Sequence, residues 1–162
     1  MGAMVPPSRK SCYNFRVVSV DKVVDGDTID VSIDLGFDLI KKERVRVAGV
    51  DTPEKRTRDL EEKALGLDAT YWMQKNLQDT LDGDEELTIR TELVGGMGKY
   101  GRLLGWLYVG DDDVSLNEKM ITKGMHGSMM EVQRRKTLRN FVKYEDLLVP
   151  WMRDNEFYKS TN

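Results

Sequence analysis

The chain has 162 residues, 40% of them hydrophobic, one cysteine and a formal net charge of −3, which suits one folded domain around one buried core. The lone Cys12 excludes an intramolecular disulfide and a cysteine-rich zinc site, and no apolar run is long enough to span a membrane. The opening Met1-Gly2-Ala3-Met4-Val5-Pro6-Pro7 lacks the apolar stretch of a secretion signal, so the expectation is a soluble intracellular protein, secreted only if a signal has been removed.

Residues 15–24 are rich in valine, and 28–34 alternate, with Ile29, Val31 and Ile33 on one face and Asp30, Ser32 and Asp34 on the other. This pattern predicts two strands of a hairpin. Asp25-Gly26 between them supplies positive-φ turn chemistry, which places Asp27 at the strand mouth. After a loop containing Gly36-Phe37 and Lys41-Lys42, residues 44–50 alternate again and stop at Asp51-Thr52-Pro53, because proline cannot donate to a ladder. Residues 67–81 change to helical period, with Ala69, Trp72, Met73 and Leu77 on one face and Asp68 in the first turn. Leu87 and Ile89 mark a fourth strand, and 103–109 a fifth. Ser115 and Glu118 form a capping box that opens a short helix, closed by Gly124. One or two further helices are expected over 129–148.

The resulting fold class is mixed α+β and mainly β: a five-stranded OB-fold barrel with about three helices packed around it. Residues 14–150 are expected to form the domain, with tails at 1–13 and 151–162. Trp72 and Trp106 read as core, and the sole histidine, His126, as a structural or exposed residue. The loop Gly95-Gly96-Met97-Gly98 precedes a strand, so it offers no helix N-terminus to a phosphate.

The acidic total conceals separate clusters. Acids gather in Asp82-Gly83-Asp84-Glu85-Glu86 and Asp111-Asp112-Asp113, and bases in Lys41-Lys42, Arg44, Arg46, Lys55-Arg56, Arg58, Lys99 and Arg102, with a second set at Arg134-Arg135-Lys136 and Arg139. Any one of these is ordinarily a solvated face, but several of the bases adjoin three short motifs. The motifs are Asp25-Gly26-Asp27-Thr28, Arg46-Val47-Ala48-Gly49-Val50-Asp51-Thr52-Pro53-Glu54, and Lys99-Tyr100-Gly101-Arg102. Each alone is common turn or loop chemistry. Turn formation accounts for the aspartates but not for two arginines and a glutamate set among them. In this order, and at strand ends, the three resemble the staphylococcal nuclease (thermonuclease-like) family, from residue 17 to about residue 125.

That resemblance implies a calcium-dependent nuclease that hydrolyses phosphodiester bonds of single-stranded DNA or RNA and leaves 3′-phosphate products. It implies Asp27, Asp51 and the backbone carbonyl of Thr52 as ligands of Ca2+, oxygen donors that suit a hard cation, with Asp25 acting through a bound water. Arg46, Glu54 and Arg102 are then the catalytic residues: two guanidinium forks for phosphate oxygens and a carboxylate for the attacking water. Lys99 and Tyr100 would contact a terminal phosphate of the nucleic acid. A monomer with no membrane partner is expected. The tyrosine pair of the family is absent, its place taken by Met125-His126-Gly127-Ser128-Met129-Met130. Two other classes remain open: a noncatalytic nucleic-acid-binding OB module, against which the ligand aspartates and clamp arginines argue, and a protein-interaction barrel, which would show an exposed apolar patch.

Overall fold

Alternating β-branched residues build a closed five-stranded barrel in the computed structural model, which describes residues 5–8, 11–92 and 101–124. The strands are β1 (Cys12–Asp25), β2 (Thr28–Asp34), β3 (Ile40–Val47), β4 (Leu87–Glu92) and β5 (Leu103–Val109); α1 (Leu60–Asp82) joins β3 to β4, and α2 (Leu116–Thr122) follows β5. Around the barrel the order is β1-β2-β3-β5-β4. This is the expected mainly-β barrel. Two helices lie among the described residues; the further helix expected over 129–148 falls outside them. No helix among the described residues is long and apolar enough to cross a membrane.

Two features close the barrel. Strand β1 is 14 residues long and serves two partners: Cys12 to Arg16 pair with β4, and Arg16 to Asp25 pair with β2. Register shifts at Val17/Ser19, Val20/Lys22 and Val23/Asp25 add the bend and twist that such a double role needs. The second feature is the pairing of β3 with β5, which is parallel, with Arg46 opposite Leu104. Inside lie Ile29, Val31, Ile33, Val45, Val47, Leu87, Ile89 and Leu107, sealed by Ala69, Met73 and Leu77 of α1 and by Leu116 and Met120 of α2. At roughly 1.5–3 kcal/mol per fully buried aliphatic side chain, this cluster is the main source of stability.

Trp106 and Tyr108 are buried in a separate cluster with Ala48, not in the barrel interior. They alternate with the inward Leu107, so β5 is covered on both faces. Trp72 is partly buried against the main core.

Helix α1 begins earlier than its apolar period suggests, at Leu60 rather than residue 67. Asp59 is the N-cap: its carboxylate accepts the backbone N–H groups of Glu61 and Glu62, each at 3.1 Å. Glu61 and Glu62 sit in the first turn, where acids favour the helix dipole. Asp68 therefore lies in the helix interior. Helix α2 keeps the expected capping box of Ser115 and Glu118, and Gly124 beyond it has φ 71°.

Candidate active site

One end of the barrel gathers the predicted residues. The β1–β2 hairpin turns through Gly26 and Asp27, with Asp25 paired to Thr28. Thr28 pairs with Arg46 across to β3, and the Val47 N–H donates to the Asp27 carbonyl at 2.8 Å. Asp27 and Arg46 are thus locked side by side by backbone pairing. The chain leaving β3 turns at Gly49, whose φ is 73°, and brings Asp51 to Glu54 back to the same end. Arg102, just ahead of β5, arrives through the parallel β3–β5 pairing.

The turn needs Gly26 for a steric reason, not the conformational one expected from sequence. Gly26 is not among the positive-φ glycines. A Cβ there would stand 2.8 Å from Ala69 Cβ and 2.9 Å from Thr52 Cγ2. Helix α1 therefore presses directly on the turn. It also presses on the next loop, because a Cβ on Gly66 would lie 2.6 Å from the Pro53 carbonyl and 2.7 Å from Lys55 N.

Every predicted site residue that falls among the described residues lines one pocket of about 210 Å3: Asp25, Asp27, Arg46, Asp51, Thr52, Glu54 and Arg102, together with Thr28 and Pro53. Lys99 and Tyr100 lie outside the described residues. Four carboxylates and two guanidiniums face this space, a formal excess of two negative charges.

The hydrogen bonds fix Asp27 most firmly. It is buried; its Oδ1 accepts from Thr28 Oγ1 at 2.9 Å, and its Oδ2 accepts from Thr52 N at 2.9 Å and Thr52 Oγ1 at 3.1 Å. Arg46 bridges the two candidate ligand carboxylates. Its Nη1 is ion-paired with Asp27 Oδ2, and its Nη2 donates to Asp51 Oδ1 at 2.9 Å. Nη1 also reaches the Asp27 backbone carbonyl at 3.3 Å. Asp51 is 71% exposed, against 21% for Arg46, so one end of the bridge is held by the fold and the other stands in solvent. Glu54 is exposed, with Oε1 accepting from Arg56 N at 2.8 Å.

Asp25 stands behind them. Its Oδ1 is buried and takes no hydrogen bond, with Lys55 Nζ at 3.6 Å. Burial pushes the Asp25 carboxyl above its ordinary value of 3.8; Lys55 pulls it back, and the negative charges of Glu54 and Asp27 push it further up. Two contributors are not legible in the sequence. Thr28 lay within the first motif without a role, and Lys55 within a basic cluster, but their partners become visible only once strand register and the 53–55 loop are known.

A family model described as "Staphylococcal nuclease homologue" matches residues 44–147. The chain belongs to the staphylococcal nuclease homologue family. The match takes in Arg46, Asp51, Glu54 and Arg102 and starts after Asp25 and Asp27, which the hairpin pairing brings to the same pocket. Among curated relatives of this chain, a thermonuclease of Staphylococcus intermedius is 34% identical over 124 residues, covering 74% of this chain and 64% of the relative. An uncharacterized protein of Bacillus anthracis is 29% identical over 102 residues, covering 63% of this chain and 42% of the relative. The chain thus spans less than two thirds of the length of either.

The nuclease family implies a metal ion, and the oxygen donors of the pocket are of the kind that would hold one. Among the described residues no group of three or more His, Cys, Asp or Glu side chains is disposed to hold a metal by itself. The donors on offer are fewer: Asp27 and Asp51, already converging on one positively charged group, and the buried, hydrogen-bond-free Asp25 Oδ1. An all-oxygen set of this kind suits a hard cation that keeps part of its water shell. The formal negative excess of the pocket would be balanced by a divalent ion.

Proposed function

We propose that this chain is a calcium-dependent nuclease that hydrolyses phosphodiester bonds of single-stranded DNA or RNA. The observation that carries this reading is the composition of this pocket: Asp25, Asp27, Asp51 and Glu54 together with Arg46 and Arg102. Nucleic-acid binding as such needs bases, because phosphates are captured by Lys and Arg that displace counterions. Four carboxylates in the same pocket repel a phosphate unless a cation intervenes, so their presence favours chemistry over simple binding. The match to a relative named thermonuclease supports the same reading.

In this proposal Asp27, Asp51 and the Thr52 backbone carbonyl hold the calcium ion, and Asp25 acts on it through a water. Bound there, calcium supplies Lewis-acid polarisation of a phosphate oxygen and a template for the reacting groups. Thr28 and Thr52 have a task of their own, holding the Asp27 carboxylate by three hydrogen bonds so that it offers a fixed donor. Glu54, exposed at the pocket rim, orients or deprotonates the attacking water. Arg46 and Arg102 donate to the phosphate oxygens on which charge accumulates in the five-coordinate transition state. Lys99 and Tyr100 contact a terminal phosphate, and the cleaved bond is the one to the 5′ oxygen, which leaves 3′ phosphates.

The test is cleavage of single-stranded DNA and RNA by the purified chain, with calcium and with a chelator. Calcium-dependent cutting is expected, reduced on the order of a hundredfold or more by Arg46→Ala or Glu54→Ala. Binding without cutting would move the chain to the class of noncatalytic OB modules.

A further inference from the structure

The residue that fills the space between Asp27 and Asp51 is itself cationic. Arg46 Nη1 is ion-paired with Asp27 Oδ2, and Nη2 donates to Asp51 Oδ1 at 2.9 Å. These are the carboxylates assigned above to calcium, and Arg46 is also the donor assigned to the phosphate. One guanidinium cannot serve the carboxylates and a phosphate with the same N–H groups. We propose that Arg46 is a resident counter-cation that competes with the metal for Asp27 and Asp51, so that metal entry frees its N–H groups for the phosphate. This inference rests on the metal-dependent nuclease reading and adds a coupling to it.

Three observations support the competition. The Oδ2 of Asp27 is already engaged by Thr52 N and Thr52 Oγ1 in addition to Arg46. Both threonine donors are tied to the loop backbone, whereas the arginine is a long side chain, so the group that yields to an incoming cation is Arg46. Second, the guanidinium has an anchor that does not depend on either carboxylate side chain, the Asp27 backbone carbonyl at 3.3 Å from Nη1. Release from the carboxylates therefore does not require the arginine to leave the pocket. Third, Asp51 is 71% exposed, so its half of the bridge sits in solvent and is readily exchanged.

The coupling has a definite sign. Two cations that compete for the same carboxylates weaken each other, and by linkage a phosphate that takes up Arg46 strengthens metal binding while the metal strengthens phosphate binding. Without metal, the phosphate clamp is self-occupied and the negative pocket repels nucleic acid. The same residue then keeps the site closed to phosphate until the cation arrives.

The experiment is calcium titration of the full chain by calorimetry in the absence of nucleic acid, for the parent, Arg46→Ala and Arg102→Ala. The control Arg102→Ala removes the same formal charge from the same pocket. Charge-assisted hydrogen bonds to carboxylates are strong enough that Arg46→Ala should bind calcium roughly tenfold tighter than the parent, and clearly tighter than Arg102→Ala. Equal affinities for the two variants, or weaker binding by Arg46→Ala, would overturn the competition. A second readout does not depend on how a variant folds: the side-chain Nε–H resonance of Arg46 in the parent should move as calcium saturates, with no substrate present. A resonance that stays in place at saturation also overturns it. If neither parent nor variants take up calcium, the metal-dependent reading fails as well; if all bind alike, only the coupling does.

Discussion

Asp25 carries an electrostatic cost in the fold. Its carboxyl is raised above the ordinary 3.8 chiefly because it is buried, with Glu54 and Asp27 adding to the rise and Lys55 opposing it. The folded chain therefore holds this proton at pH values where the unfolded chain has released it, so stability falls as pH climbs through that window. The cost is absent below the ordinary value and complete above the raised one. Asp25→Asn is thus expected to melt at a higher temperature than the parent at neutral pH in the presence of a chelator, and the gap should close in acid. Thermal melts of the two proteins across pH check this; a parent that stays the more stable at neutral pH would contradict it. Asp30 behaves in the opposite sense, held below its ordinary value by its hydrogen bonds to Arg44, so its contribution is lost on acidification. At this scale much was legible beforehand, because Asp25, Asp27, Arg46, Asp51, Glu54 and Arg102 all stand at motif positions beside turns and strand ends. The steric demand on Gly26 and the pairing of Lys55 with Asp25 were not, since both depend on chain segments far apart in sequence.

Among the elements, α1 is the one that sets the site. Gly66 would be a costly residue on helix propensity alone, since glycine is about 1 kcal/mol worse than alanine in a helix interior. It is present because the Pro53 carbonyl would stand 2.6 Å from a Cβ there, a contact with backbone that cannot rotate away. Gly66→Ala is therefore expected to lose about 1–2 kcal/mol net, overpacking outweighing the propensity gain, and to slow cleavage by shifting the loop that bears Glu54. Chemical denaturation and a cleavage assay read the two effects; a stabilised, fully active variant would show that the loop gives way freely. Asn117 of α2 offers a contrast. Its side chain accepts from Leu107 N at 3.0 Å and donates to the Ala48 and Gly105 carbonyls at 2.8 and 3.0 Å, tying α2 to β5 and to the chain beyond β3. Asn117→Ala takes the side-chain partner from the Leu107 N–H and the Ala48 carbonyl, while the Gly105 carbonyl keeps the Ala48 N–H at 2.9 Å; it should cost about 2–4 kcal/mol, with a smaller effect on cleavage below the melting range. Most strands were legible from alternation and α1 from its apolar stripe, but β3 starts at Ile40 and ends at Val47, so Lys41-Lys42, expected in a loop, lie in the strand; nor was the helix start legible: Glu61, Glu62 and Lys63 break the apolar period, and the signal there is Asp59 as cap.

The molecule as a whole carries a formal charge of −3, part of it concentrated at the pocket, where four carboxylates meet two guanidiniums, an arrangement that disfavours a polyanion until a cation is bound. The barrel that holds this pocket was legible as five strands with a helix between the third and fourth. Its closure was not, because it depends on the parallel β3–β5 contact and the irregular register of β1, neither of which alternation encodes. That closure joins the carriers of Asp27, Arg46 and Arg102 to one rigid end, so a ligand there stabilises the whole barrel. A cation bound only by the folded chain adds RT ln(1 + [L]/Kd), about 2.7 kcal/mol at a hundredfold excess over Kd, which corresponds to a rise in Tm of roughly 5–10 °C for a domain of this size. Calcium should produce such a rise. Magnesium should produce less at equal concentration, because it demands near-ideal octahedral geometry and sheds water reluctantly, whereas Asp27 and Asp51 differ widely in how firmly they are held. Melting curves in calcium, magnesium and chelator at matched ionic strength separate this from general screening of the acidic surface, which would treat the two divalent ions alike. Equal shifts would therefore point to screening, and a shift specific to calcium to a site whose loose half, at Asp51, adapts to the larger ion.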